Sequence, residues 1–137
     1  LAITDDFSIS YIANHSNSQL PIFYKITSIW SAHEGSMFLW IVFLTLWSTL
    51  FINSLSFQHQ LKKGTMLMLT IIILGFLLFL LITSNPFERI LPFGVLEGAD
   101  INPVLQDPAL AIHPPLLYLG YVGFVISFSF ITAYLFC

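Results

Sequence analysis

Three long apolar blocks interrupt an otherwise polar chain, and their lengths set the first expectation. Residues 37–52 are apolar apart from Thr45, Ser48 and Thr49. Taken back to Glu34 and on to Ser54, this block reaches the roughly 20 residues that a helix needs to cross a bilayer. Residues 65–83, "TMLMLTIIILGFLLFLLIT", are an unbroken apolar run. A third block runs from residue 114 to 137, with Tyr118, Tyr121 and Tyr134 near its two ends, where amphipathic rings favour the headgroup level. Backbone surrounded by lipid must satisfy its own hydrogen bonds, so each block is expected to be a helix. The predicted class is an all-α integral membrane protein, with transmembrane helices at 34–54, 65–83 and 114–137 belonging to a larger multi-pass bundle.

The polar intervals supply sides and stiffness. Only 8% of residues are charged, against about a quarter in a soluble domain, which agrees with the membrane assignment. Residues 55–64 carry Lys62 and Lys63 and no acid, so they are expected to form a basic inner loop by the positive-inside rule. Residues 1–33 and 84–113 then lie on the outer side, the first as a polar surface segment and the second as a Pro-rich loop. Prolines at 86, 92, 103, 108, 114 and 115 push the residues before them toward extended backbone, which makes that loop stiff. The chain opens on Leu1 and reaches Cys137 inside an apolar run, so both ends are expected to be cuts in a longer protein. A single cysteine rules out an internal disulfide within the chain, and a net charge of -3 offers no basic surface for nucleic acid.

Four residues are candidates for chemistry. His113 precedes a proline pair, so its backbone is expected to be extended, with Pro114 and Pro115 filling early helix positions that need no N–H partner. A neutral imidazole so placed can ligate a metal, haem iron included. The ordinary alternative is an interfacial histidine that caps a helix or meets solvent. Asp107 is a candidate to accept the ring N–H of that histidine and fix its tautomer. Trp30, His33, Met37, Trp40, Leu44 and Trp47 recur at spacings of three and four, so as a helix they would share one face. That face could line a flat aromatic ligand or serve as a packing seam. His15 and His59 read as solvated loop residues.

Three stretches in order, "TDDFSISYIANHSNSQLPIFYKITSIWSAHEGSMFLW", "TSNPFERILP" and "LEGADINPVLQDPALAIHPPLLYLGYVGF", resemble the CcmF-type haem lyase subunits of the multi-component cytochrome c maturation pathway. They cover most of the chain. The resemblance implies a subunit that receives haem b from the haem chaperone CcmE and aids its covalent attachment to apocytochrome c, with CcmH-type thiol-reducing or lyase subunits as further partners. It implies that His113 is an outer-face axial ligand of the incoming haem iron. His33 is carried over only as part of a characteristic stretch. The second outer ligand, the tryptophan-rich motif and the ligands of a structural haem would lie outside this sequence, so the fragment would not be a competent enzyme alone. A bacterial inner membrane is implied, with a mitochondrial one as the alternative. Two further readings stand beside it: a packing subunit of a respiratory or transport assembly, and the nitrite-reductase-specific relative of the same family.

Overall fold

The computed structural model describes residues 1–54 and 59–136. Two short helices, α1 (Ser10–His15) and α2 (Ile22–Thr27), lead through a 3-10 turn, Ser28–Trp30, into the long helix α3 (His33–Ser54). Helix α4 (His59–Thr83) follows, then a second 3-10 turn, Pro103–Gln106, and helix α5 (Pro108–Phe136). Each of the last three helices is long and apolar enough to span a membrane. At 1.5 Å per residue the 22 residues of α3 extend about 33 Å, matching a hydrocarbon core of about 30 Å.

The three long helices pack pairwise against one another. Leu44, Leu69 and Val122, one from each, are wholly buried where the three meet, and Trp40 and Trp47 pack around them. Several hydroxyl groups inside the spans bond back to carbonyls of their own helix, as Ser48 does to Leu44 and Thr65 to Leu61, at 2.7 and 2.9 Å. This lets polar side chains sit in an apolar setting without water. The outward faces remain apolar, with Leu67, Ile71, Leu81, Phe124, Phe128 and Ile131 exposed.

Two helix starts and the packing of the N-terminal segment differ from the sequence-based expectation. Helix α4 begins at His59 rather than at 65, so Lys62 and Lys63 ride on its first turns instead of a loop; leucine, lysine and glutamine are good helix formers. Lys62 donates to the Ile52 carbonyl near the end of α3, which satisfies an acceptor that helix leaves open. Residues 55–58 of the expected basic loop, and Cys137, lie outside the described residues. Helix α5 begins at Pro108 rather than at 114, because Asp107 caps it and Pro108 takes its first position. The expected Pro-rich outer loop therefore ends near residue 107, and Pro114 and Pro115 lie inside the helix.

Residues 1–32 are the third departure. Ala2, Phe7, Ile9, Ile12 and Ala13 form a small buried core of their own, closed by Tyr11, Ile29 and Ile90. Hydrogen bonds join this segment to the loop after α4: Ser10 N–H donates to the Glu88 carbonyl at 2.8 Å, Ile90 N–H to Ser8 at 2.9 Å, and Ala99 N–H to Ala13 at 2.7 Å. The two polar segments together form a cap over the end of the bundle where α3 and α5 begin and α4 ends. The lysines of α4 sit at the other end.

A buried ion pair braces the cap. Lys25 is 8% exposed and its ammonium donates to both oxygens of Asp5, at 2.6 and 2.7 Å. Removing the carboxylate leaves that ammonium buried and unpaired. Asp5→Ala is expected to destabilise the cap by about 3 kcal/mol, the lower end of the range for a broken buried pair because Asp5 is partly exposed. Faster proteolysis within residues 1–32 of the complete protein would report it.

Candidate functional site

His113 lies in the second turn of α5, in helical rather than extended backbone. Proline disfavours helix in the residue before it and removes N–H groups from the helix ladder. The expectation of an extended His113 fails because a neighbour makes good one of the missing bonds. Pro115 leaves the Ala111 carbonyl without its usual donor four residues on. The indole Nε1 of Trp30 donates to that carbonyl at 3.0 Å. Ala111 is wholly buried, so no solvent competes there.

The base of α5 is held at two more points. The Asp107 Oδ1 atom accepts from the Ala109 and Leu110 N–H groups at 2.8 and 3.2 Å. Tyr24 donates its hydroxyl proton to the Gln106 carbonyl at 2.6 Å. Asp107 thus caps the helix and makes no hydrogen bond to His113, so the expected pairing of the two is not formed. The His113 ring is exposed and has no hydrogen-bond or ion-pair partner among the described residues. At 3.6 residues per turn it sits about 200° around the helix from buried Ala111, facing away from α3. Exposed Leu116, Leu117, Phe124 and Phe128 continue down the same outward side.

His33 opens α3 at the same end of the bundle. Its Nδ1 shares a hydrogen bond with Ser84 Oγ at 3.2 Å, and its ring meets the edge of Phe79 with centroids 6.2 Å apart. The stripe predicted from Trp30 to Trp47 is split. Trp30 lies in the 3-10 turn before α3, whereas Trp40 stacks on Phe76 and tilts against Tyr118 at 5.9 and 5.6 Å. Trp47 donates its indole N–H to the Leu119 carbonyl at 2.9 Å. Along Trp40, Leu44 and Trp47 the stripe is a packing seam against α4 and α5.

Tyr11, unnoticed in the sequence, is the hub under the cap. Its hydroxyl lies 3.1 Å from the Ser28 and Ile29 carbonyls, which can take its proton, and accepts from the Ala32 N–H at 3.1 Å. Burial holds its pKa above the usual range, so the phenol stays a donor through neutral pH. His15 is half-buried rather than solvated, donating from Nδ1 to the Tyr11 carbonyl at 2.8 Å, whereas His59 is exposed. Beside Tyr11, His15, Glu34 and Glu88 line a polar recess of about 80 Å³. Glu97 is held below the usual carboxylate range by the Ser18 hydroxyl and backbone N–H, so its tie to the cap is present at neutral pH and weakens in acid. Partners 17 to 79 residues apart leave no local signal. Among the described residues no three histidine, cysteine or acidic side chains converge to hold a metal ion.

Residues 30–137 match the family model for the cytochrome C assembly protein. The chain is 45% identical over 132 residues to the cytochrome c-type biogenesis protein CcmF of Escherichia coli, covering 96% of this chain and 20% of that protein. It is 49% identical over 136 residues to CycK of Bradyrhizobium diazoefficiens, covering 97% of the chain and 20% of the relative. It is 48% identical over 130 residues to NrfE of Haemophilus influenzae, covering 91% and 20%. The chain therefore spans about a fifth of the length of these curated relatives. No solved structure matches it.

Proposed function

The chain belongs to the cytochrome c assembly protein family, and on that premise we propose that it forms the His113-bearing part of a membrane haem lyase that receives haem b and aids its attachment to apocytochrome c. Within this reading the capped end of the bundle faces outward, and the end with Lys62 and Lys63 faces inward, as the positive-inside rule requires. The setting is a bacterial inner membrane. Haem arrives as substrate from the chaperone CcmE, and CcmH-type subunits keep the apocytochrome thiols reduced.

The observation that carries the proposal is the placement of His113: an exposed imidazole without a hydrogen-bond partner among the described residues, on a braced helix base, facing away from its own segment. An imidazole with a free ring nitrogen fits haem iron. One such ligand fixes one face of the iron, and the opposite ligand would come from the rest of the protein. Axial ligation orients the haem edge toward two cysteine thiols, whose thiolate forms are the nucleophiles. Asp107 and Trp30 brace the helix, and His33 ties α3 to the end of α4.

In cells that depend on the complete protein, His113→Ala is expected to cut covalently attached haem in c-type cytochromes by at least the roughly tenfold that even an indirect metal partner is worth. Haem staining of the separated cytochromes measures it. An unaltered yield with normal protein abundance would favour a packing subunit without haem chemistry.

A further inference from the structure

Trp30 is separated from His113 by most of the chain, yet its indole contacts the carbonyl two residues before it. The bond answers a specific deficit. In an unbroken helix the Ala111 carbonyl would accept from the N–H of residue 115, which is proline. That carbonyl belongs to a wholly buried residue, where an acceptor left open is costly. The Trp30 backbone is itself tied to α3, because Ser36 Oγ donates to the Trp30 carbonyl at 3.0 Å. A continuous relay therefore runs from α3 through Ser36 and Trp30 to the turn of α5 that presents His113.

We propose that Trp30 is a positioning residue for His113, acting through its indole N–H on the Ala111 carbonyl that Pro115 leaves open. The proposal rests on the reading of His113 as a haem ligand. Proline frees the carbonyl, which lets an outside group set the rotation and tilt of the turn carrying His113. An all-amide helix would keep that bond to itself, and the turn would answer only to its own ladder. Trp30 touches neither haem nor thiol in this scheme. It fixes where the imidazole stands relative to α3 and the cap.

The test uses the complete protein co-expressed with its haem chaperone, with Trp30→Phe, Pro115→Ala, the double variant and His113→Ala. Phenylalanine keeps an aromatic ring and removes the N–H, while alanine at 115 restores a backbone donor to Ala111. Two signals are read: hydrogen exchange of the amides at 109–113 without delivered haem, and the spectrum and retention of chaperone-delivered haem. Trp30→Phe is expected to speed exchange and weaken haem retention by about tenfold each, the factor carried by one lost hydrogen bond at a buried carbonyl. The double variant is expected to recover both signals. Loss that Pro115→Ala does not relieve would assign Trp30 to ring packing and overturn the proposal. Unmoved exchange and retention in Trp30→Phe, with delivered haem still lost in His113→Ala, would overturn it while leaving the ligand reading intact. Delivered haem that survives His113→Ala would remove the ligand being positioned, and the proposal with it.

Discussion

Replacing Gly35 with alanine is expected to disrupt the cap. A Cβ at that position would fall deep inside van der Waals contact with the Ile29 carbonyl oxygen and the Tyr11 hydroxyl, and 2.8 Å from Tyr11 Cζ. Neither neighbour can step aside cheaply. The Ile29 carbonyl belongs to the 3-10 turn that feeds α3, and the Tyr11 hydroxyl is held between the Ser28 and Ile29 carbonyls and the Ala32 N–H. Relief requires either moving the start of α3 or expelling the phenol, which would open buried backbone groups. Overpacking of this kind costs about 3 kcal/mol, the upper end of the usual range, since backbone rather than a flexible side chain is struck. Melting of the complete protein in detergent and protease cleavage within residues 1–32 would show it. Tyr11→Phe, which keeps the ring and loses only the hydroxyl, is expected to cost about 1–2 kcal/mol. A Gly35→Ala protein with unaltered melting and cleavage would contradict the packing described here.

On the proposed function the cap matters because the turn bearing His113 stands on it. Tyr24 and Trp30 reach the base of α5 from the segment that Tyr11 and Gly35 dock, at 2.6 and 3.0 Å from the Gln106 and Ala111 carbonyls. Loosening the cap therefore loosens the turn that bears His113, and stability and haem handling are expected to fall together in cap variants.

The spans were legible in the sequence because span length is a property of composition over about 20 residues, which the bilayer alone dictates. The start of α5 was misplaced at 114, although a local signal for Pro108 stands in the sequence. Asp107 followed by Pro108 is a helix N-cap followed by the residue best suited to the first position. The expectation of a start at 114 followed from the Pro114-Pro115 pair, since prolines suit the first helix positions and disfavour helix in the residue before them. What overrode the rule was Trp30, 81 residues distant, and no local pattern reports a donor from so far away. The same holds for the cap, where Ser18 meets Glu97 and Tyr11 meets the turn before α3. The small buried cluster of Phe7, Ile9, Ile12 and Ala13 read as polar surface because the apolar residues are few and interleaved with serine and asparagine. His113 stood out for its proline neighbours. Its exposed, outward placement came from the helix that those prolines failed to break.

The proposed function stands on His113 holding the iron of delivered haem. Loss of an axial ligand alters the absorption of the haem it held and leaves any other haem of the same protein alone. The direct measurement is the visible absorption spectrum of the complete protein, co-expressed with its haem chaperone, in wild-type and His113→Ala forms. Loss of the chaperone-derived haem signal in the variant, with any resident b-type signal intact, is the expected result. Identical spectra in the two forms would contradict it and return His113 to the role of an interfacial histidine on a membrane helix.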